Sequence, residues 1–160
     1  MDAKLAEAVK VAIEYRKLAR TFRTSVGVAI ETYDGKLFGG MNLESWGHQG
    51  RHAEEVALIR ALAEGYNGVD FKRVVVVFQD AGHDEVEAYP ACPYCWFWLW
   101  EFTHPDFEII SADLQGNVHY RAKLKEILHP PAPGQIFPSD KIRQIKPKLN
   151  CEPKSLKAKA

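Results

Sequence analysis

The chain contains little sulfur, with three cysteines and two methionines among 160 residues. So few cysteines, in an odd number, exclude a disulfide-rich secreted scaffold. Cys92 and Cys95 form a Cys-x-x-Cys pair, whereas Cys151 is left over and is expected to be a free thiol without a role. We therefore expect the protein to work in a reducing compartment, the cytoplasm.

Long apolar runs and an excess of one charge are also absent. We expect neither a signal peptide nor a membrane span, and therefore no membrane partner. Lys and Arg number 21, as do Asp and Glu, but residues 129–160 hold seven of the basic and only two of the acidic residues. The sequence predicts one folded domain over residues 1–130, followed by a proline-rich, basic C-terminal extension over 131–160.

Apolar periodicity and turn residues predict the order helix, hairpin, helix, strand, helix, hairpin, helix. Helices are expected near residues 3–20, 53–65, 93–102 and 122–128, and strands near 25–30, 37–41, 73–78, 107–111 and 117–121. Four consecutive valines in the third strand favour the buried centre of a sheet. This order predicts an α/β fold, a three-layer αβα sandwich with a mixed sheet of about five strands.

Three potential zinc ligands occur in two short motifs, His52-Ala53-Glu54 and Cys92-Pro93-Tyr94-Cys95. Structural zinc sites normally have four protein ligands, so three ligands leave a position for water, whose pKa zinc lowers to about 7. The spacing of the cysteines places both on one face of a helix start, and His52 is expected where the chain enters a helix. A lone Cys-x-x-Cys would equally suit a redox pair or two buried cysteines. The two motifs together favour a hydrolytic zinc site, with Glu54 as general acid and base rather than ligand.

These motifs, with several others, resemble the cytidine deaminase family. The segments that carry the resemblance are Val-Gly-Val-Ala-Ile at 26–30, Asp-Gly-Lys-Leu-Phe at 34–38, Asn-Leu-Glu at 42–44, His-Ala-Glu at 52–54, Cys-Pro-Tyr-Cys at 92–95, Glu-Phe at 101–102, Asp-Leu-Gln-Gly-Asn at 113–117 and Leu-Lys-Glu-Ile-Leu at 124–128. The resemblance makes residues 1–130 a catalytic domain with a small nucleoside substrate. It implies zinc held by His52, Cys92 and Cys95, proton shuttling by Glu54, and a homodimer or homotetramer with active sites completed across subunits.

Five residues are candidate substrate contacts. The resemblance implies that Asn42 and Glu44 bind ribose hydroxyls, and Ala53 lies inside the zinc motif. Phe22 is a candidate for stacking on the base, because the family's aromatic position falls on Thr24; its alternative is a place in the core. Trp46 is expected either to cover the pocket and stack on substrate or to pack in the interior.

The leading hypothesis is hydrolysis of cytidine or deoxycytidine to the uridine nucleoside and ammonia. Ala91 stands where the family usually has proline, and Trp96-Phe97 where it usually has Arg-Gln. These differences leave open a modified cytosine nucleoside, a nucleoside antibiotic or another aminated ring as substrate. A hypothesis of another class is a zinc-stabilised module that binds single-stranded nucleic acid through the basic extension and the aromatic helix.

Overall fold

A computed structural model describes residues 2–22, 24–47, 49–80 and 91–128. Its elements are α1 (Ala3–Lys17), β1 (Thr24–Thr32), β2 (Leu37–Met41), α2 (Ala53–Ala63), β3 (Phe71–Asp80), α3 (Pro93–Phe102), β4 (Glu108–Ala112), β5 (Val118–Lys123) and α4 (Leu124–Ile127), with a short 3-10 helix at Gly68–Asp70. Helices and strands follow one another in the predicted order. The C-terminal extension, with Cys151, lies outside the described residues.

The strands form one sheet in the order β2-β1-β3-β4-β5. Only β3 and β4 run parallel; the other neighbouring strands are antiparallel. β3 is therefore central, as its valines predict. Val74 and Val76 face one side of the sheet and Val75 and Val77 the other, and all four are buried.

Helices cover both faces of the sheet, which confirms the three-layer αβα arrangement. Buried side chains on the first face are Val28, Ile30, Phe38, Val74, Val76 and Ile109 from the strands, with Ala57, Leu58, Ala61, Cys95 and Leu99 from α2 and α3. On the second face Ala29, Val75, Val77, Ile110 and Ala112 pack under Leu5, Ala8, Val9 and Ala12 of α1. No helix in the described ranges is both long and apolar enough to cross a membrane.

Two helices are shorter than the sequence predicts. α1 ends at Lys17, because the Leu18 amide bonds to the carbonyls of Tyr15 and Arg16 in a tightened last turn. Leu18, expected on the apolar face, is 58% exposed. α4 begins only at Leu124, because β5 pairs with β4 as far as Lys123. The apolar pattern alone does not reveal where a pairing strand gives way to a helix.

Both helices that carry the zinc motifs begin at the same edge of the sheet. β1 pairs Thr24 with Asp80 of β3 and Gly27 with Met41 of β2, so the ends of β2 and β3 lie together. α2 follows β2, and α3 follows β3. Ligands of open α/β sheets commonly bind where helices begin beyond strand ends.

At the opposite ends of these strands, a buried ion pair joins β1 to β3. Arg73 and Glu31 are each 1% exposed, and Arg73 Nε donates to Glu31 Oε2 at 2.5 Å. Arg73 also bonds to Asp2 before α1. Burial alone would raise the pKa of Glu31, but the hydrogen bonds from Arg73 and Lys72 outweigh it and lower that pKa. The pair links β1, β3 and the start of α1 far from the zinc motifs.

Gly40 lets α2 lie directly on β2. A Cβ atom at this position would stand 2.2 Å from the Ala53 carbonyl oxygen and 2.6 Å from the Ala57 amide nitrogen. Both are backbone atoms of the first turns of α2, so the helix itself would have to move. The absence of a side chain at Gly40 therefore sets the height of the motif-bearing helix above the sheet.

We predict that Gly40→Ala lowers the free energy of unfolding by about 1–3 kcal/mol and also weakens zinc binding, because it shifts the turn that carries His52. Urea unfolding and competition with a chromogenic chelator measure the two effects. Gly27→Ala is the matched control, since its Cβ would meet the Ala12 carbonyl oxygen at 2.0 Å on the α1 side. Equal loss of zinc affinity in both variants would contradict the prediction.

Candidate active site

The first zinc motif opens α2. His52 is the N-cap residue, with extended backbone angles of φ −77° and ψ 150°, and Glu54 lies in the first turn. His52 gives no side-chain bond to its own helix, so its ring is available elsewhere. Ala53 is fully buried. The predicted positions of His52 and Glu54 are confirmed.

The second motif opens α3 in the same way. Cys92 is the N-cap, and Pro93 occupies the first turn, where a missing amide hydrogen costs nothing. Cys95 is fully buried, whereas Cys92 is partly exposed. Ala91, just before the motif, has a φ of 63°. This left-handed conformation costs an alanine about 1 kcal/mol and is closed to proline, whose ring fixes φ near −65°, so the backbone accounts for the absence of proline here.

The structure brings His52, Cys92 and Cys95 together. Their ligand atoms all lie within 4.8 Å of one another, with 3.3 Å between His52 Nδ1 and Cys92 Sγ and 3.5 Å between the two sulfurs. Zinc–ligand bonds of about 2.0–2.3 Å allow three atoms so spaced to share one ion, and one imidazole with two thiolates is a common catalytic zinc set. The donor set therefore fits zinc.

The pKa values of the Cys92 and Cys95 thiols are shifted in opposite directions. A hydrogen bond from the Cys95 thiol, helped by His52, lowers the pKa of Cys92 to about 4. The same bond to Cys92, together with burial, raises the pKa of Cys95. The hydrogen bond to Cys92 also raises the pKa of His52. One thiolate thus exists at neutral pH before a metal arrives, supported by the positive ends of two helices.

Glu54 is buried beside this group, with 5% of its surface exposed. Burial raises the pKa of its carboxyl, and the negative charge of Cys92 adds to the effect. A carboxyl with a raised pKa exchanges protons more readily near neutral pH than an exposed one. Its position and environment suit a general acid and base.

Asn42 and Glu44, the predicted sugar contacts, are both tied to the segment that enters β1. The side-chain amide of Asn42 donates from Nδ2 to the Thr24 carbonyl oxygen at 2.7 Å. Its Oδ1 accepts from the backbone amide of Val26 at 2.8 Å. Glu44 Oε2 accepts from the Phe22 amide at 2.7 Å. Both side chains are therefore held in place beside the start of β1.

Phe22 and Trp46 form an exposed aromatic pair on the surface of these segments, which we call the rim. Their exposed fractions are 62% and 89%, and their ring centroids are 5.1 Å apart in an edge-to-face arrangement. With Glu44, Ser45 and Gly50 they line an open hollow of about 380 Å³. The alternatives of a core phenylalanine and an interior tryptophan are thus wrong, because neither ring is covered.

Glu55 and Tyr94 contact the site but were not among the sequence candidates. Glu55 is 4% exposed; it accepts from the His52 amide at 2.9 Å and from the Tyr94 hydroxyl at 3.2 Å. A glutamate three residues after a helix N-cap is the sequence signal of a capping box and could have identified Glu55. No pattern in the sequence indicates its bond to Tyr94, which lies 39 positions away.

Most other aromatic and histidine side chains are occupied within the fold. Of the α3 residues, Trp96, Trp98, Trp100 and Phe102 are partly buried against the core. His104 bonds to the Phe71 carbonyl oxygen and His119 to Asp113, each at 2.7 Å. His48, His83 and His129 lie outside the described residues.

Several solved structures with a similar fold are cytidine deaminases. The enzyme from Burkholderia pseudomallei shares 28% identity, with a TM-score of 0.68 over 81% of this chain and 98% of that chain. The Mycobacterium leprae enzyme shares 22%, with a TM-score of 0.60 over 81% and 100% of the two chains. For the Bacillus anthracis enzyme the identity is 14% and the TM-score 0.60, over 89% and 96%. No protein-family model and no curated protein sequence matches the chain.

The chain thus has the mixed five-stranded fold of cytidine deaminases, and its His-Cys-Cys group fits the zinc-ligand type expected from the sequence. The match spans 98% of the Burkholderia pseudomallei enzyme and 100% of the Mycobacterium leprae enzyme. The resemblance drawn from short motifs is confirmed at the level of the whole fold.

We predict that zinc affinity falls as the pH is lowered from about 8 to 5, because protons compete with the metal for its ligands. The raised pKa of His52 means that competition begins above the ordinary histidine value of 6.5, and the raised pKa of Cys95 acts in the same direction. Chelator competition across this range, corrected for protonation of the chelator, measures the effect. A constant affinity would contradict it.

Proposed function

We propose that the protein is a zinc-dependent hydrolase that deaminates a cytosine nucleoside, converting cytidine or deoxycytidine to the uridine nucleoside and ammonia. The observation that carries the proposal is the buried Glu54 beside the clustered ligand atoms of His52, Cys92 and Cys95. The likeness to solved cytidine deaminases over about four fifths of the chain supports it. A purely structural zinc site would have no need of a buried carboxyl beside three ligands.

Zinc would be held by His52 Nδ1 and the sulfurs of Cys92 and Cys95. When bound, zinc supplies a Lewis acid that lowers the pKa of a water molecule to about 7. Two thiolates and a neutral imidazole balance its charge, so the site needs no further cation. Of the two cysteines that would hold the ion, Cys95 is buried and Cys92 is partly exposed.

Glu54 moves the protons of the reaction. Its carboxylate takes a proton from the water that attacks C4 of the cytosine ring and delivers it to the ring nitrogen N3. It then transfers the second proton of that water to the departing amino group, which leaves as ammonia. The raised pKa of this buried group suits a residue that must hold and release a proton in one cycle.

The rim around the hollow would bind the nucleoside. We assign sugar hydroxyls to Asn42 and Glu44, since Glu44 Oε1 is not the oxygen engaged with the Phe22 amide. Phe22 and Trp46 offer exposed rings for a flat base. Ala53, whose side chain is buried, would contribute its backbone to the pocket.

A different aminated ring, such as a modified cytosine nucleoside or a nucleoside antibiotic, is the second candidate substrate. The left-handed backbone at Ala91 favours it, because the segment entering the cysteine motif follows a path closed to the proline usual in the family. The wall of the pocket next to Cys92 would then differ in shape, while the hydrolytic chemistry would stay the same.

We further propose that the enzyme acts in the cytoplasm as a homodimer or homotetramer. Reduced cysteines are required as zinc ligands, and a reducing compartment keeps them so. On α3, Tyr94 and Phe97 are 50% and 62% exposed, and a second copy of the chain would cover such rings. Sedimentation of the full chain would measure the number of subunits.

We predict that Glu54→Gln lowers kcat by about 10²- to 10⁴-fold, because an amide cannot shuttle protons. Zinc content should remain at the wild-type level. Ammonia release is measured over a panel of cytidine, deoxycytidine, a methylated cytosine nucleoside and free cytosine. Glu31→Gln is the matched control: it alters another buried glutamate, so it should reduce stability but not the kcat of the folded enzyme.

Two outcomes would overturn the proposal in different ways. Unchanged activity of Glu54→Gln would remove the proton-shuttle mechanism. Inert cytidine and deoxycytidine, with turnover of another ring by the wild-type enzyme, would replace the substrate but retain the chemistry.

We predict that Trp46→Ala raises KM for the nucleoside about tenfold and leaves kcat nearly unchanged, because base stacking on an aromatic side chain contributes about 1–3 kcal/mol. Tyr33→Ala is the control, since Tyr33 is 56% exposed but follows β1 at the opposite sheet edge. Steady-state kinetics on both variants separate KM from kcat. An unchanged KM for Trp46→Ala would mean that this ring does not contact substrate.

A further inference from the structure

Glu55 lies where the two zinc motifs meet, yet it is neither a zinc ligand nor the proposed proton shuttle. Its carboxylate is 4% exposed and both of its oxygens are engaged. Oε2 accepts from the His52 backbone amide at 2.9 Å, and Oε1 accepts from the Tyr94 hydroxyl at 3.2 Å. One buried side chain therefore touches both motif segments.

The bond to His52 belongs to the capping box at the start of α2. The ring of the same His52 reaches Cys92, with Nδ1 3.3 Å from Sγ. The Glu55 carboxylate supplies the reciprocal half of a capping box by accepting from the N-cap amide. It thereby fixes the backbone of His52 while the ring remains available to a metal.

The bond to Tyr94 crosses from α2 to α3. Tyr94 lies between Cys92 and Cys95, so its position is tied to that of both sulfurs. Its ring also lies against the His52 ring, with centroids 5.2 Å apart, and against Trp98 at 6.5 Å. The hydroxyl and the ring of Tyr94 thus both constrain the histidine-bearing turn relative to the cysteine-bearing turn.

Resting on the zinc site of the proposed function, we infer that Glu55 and Tyr94 form a positioning pair that holds His52 at ligand distance from Cys92 and Cys95. The His52 amide, the Glu55 carboxylate and the Tyr94 hydroxyl form a continuous hydrogen-bonded connection between the two helix starts. Groups that orient metal ligands from outside the coordination sphere typically contribute 10- to 100-fold to metal affinity or activity. The connection acts on zinc through geometry and does not require contact with substrate.

Tyr94→Phe is the sharpest test, because it removes the cross-helix hydrogen bond and leaves the ring and the cap of α2 in place. We expect the zinc dissociation constant of the full chain to rise about 10- to 100-fold, measured by competition between protein and a chromogenic chelator for added zinc. Glu55→Gln, which keeps a hydrogen-bonding group for both partners, should bind zinc more tightly than Glu55→Ala. Activity per bound zinc should change less than zinc affinity.

Tyr66→Phe is the matched control. The Tyr66 hydroxyl donates to Asp34 Oδ2 at 2.8 Å, a bond of the same kind at the other sheet edge. This variant should lower the melting temperature of the metal-free protein without changing its zinc dissociation constant. A merely structural role for Tyr94 would produce the same pattern in Tyr94→Phe, so the two proteins are compared in both measurements.

The outcomes separate this inference from the proposed function. If the wild-type protein binds zinc and Tyr94→Phe binds it with the same dissociation constant, the positioning role is overturned. Tight zinc binding that depends on Tyr94, without deamination of any nucleoside, would support the positioning pair and overturn the proposed reaction. A wild-type protein that binds no zinc would overturn both.

Discussion

The site depends on the distance between two helix N-termini. The ligands at His52 and at Cys92 and Cys95 belong to different helices, and each helix is placed by the strand that precedes it. β1 pairs with both β2 and β3, so the two strand ends cannot move apart without breaking the centre of the sheet. Close packing of α2 on Gly40 fixes the remaining coordinate, the height of His52 above β2. The register of the strands and the absence of a side chain at Gly40 therefore bring the His-Cys-Cys group together.

The pKa values of Cys92 and Glu54 are shifted in opposite directions. The hydrogen bond from the Cys95 thiol, helped by His52, lowers the pKa of Cys92 to about 4 and so favours a thiolate before metal binding. Burial raises the pKa of Glu54, and the negative charge of Cys92 adds to this effect. One environment thus favours charge on the Cys92 sulfur and disfavours charge on the Glu54 carboxyl. These opposite effects suit the different roles proposed for the two residues, metal ligand and proton shuttle.

The rim of the site differs in character from its floor. The floor consists of helix starts on a rigid sheet, whereas the rim consists of the segments around Phe22 and Trp46, whose rings are mostly exposed. Asn42 and Glu44 are hydrogen-bonded to the segment that enters β1, and Glu44 also lines the hollow. In the function proposed above, the floor would carry out the chemistry and the rim would bind the substrate. The departures from the family pattern at Thr24 and Ala91 fall at the start of β1 and just before α3.

The sequence by itself determined the order of helices and strands, the central position of the valine strand and the members of the His-Cys-Cys group. The reason is that hydrophobic period, helix-start residues and ligand spacing are local properties. It misjudged the end of α1 at Leu18 and the start of α4, where local apolar patterns compete with turn and strand bonds. Only the tertiary structure decided that Phe22 and Trp46 face outward together, that Ala91 adopts a left-handed conformation, and that Glu55 meets Tyr94. Each of these depends on contacts or backbone angles set by segments distant along the chain. The order of residues along the chain does not give these distances, because they are set only when the strands pair.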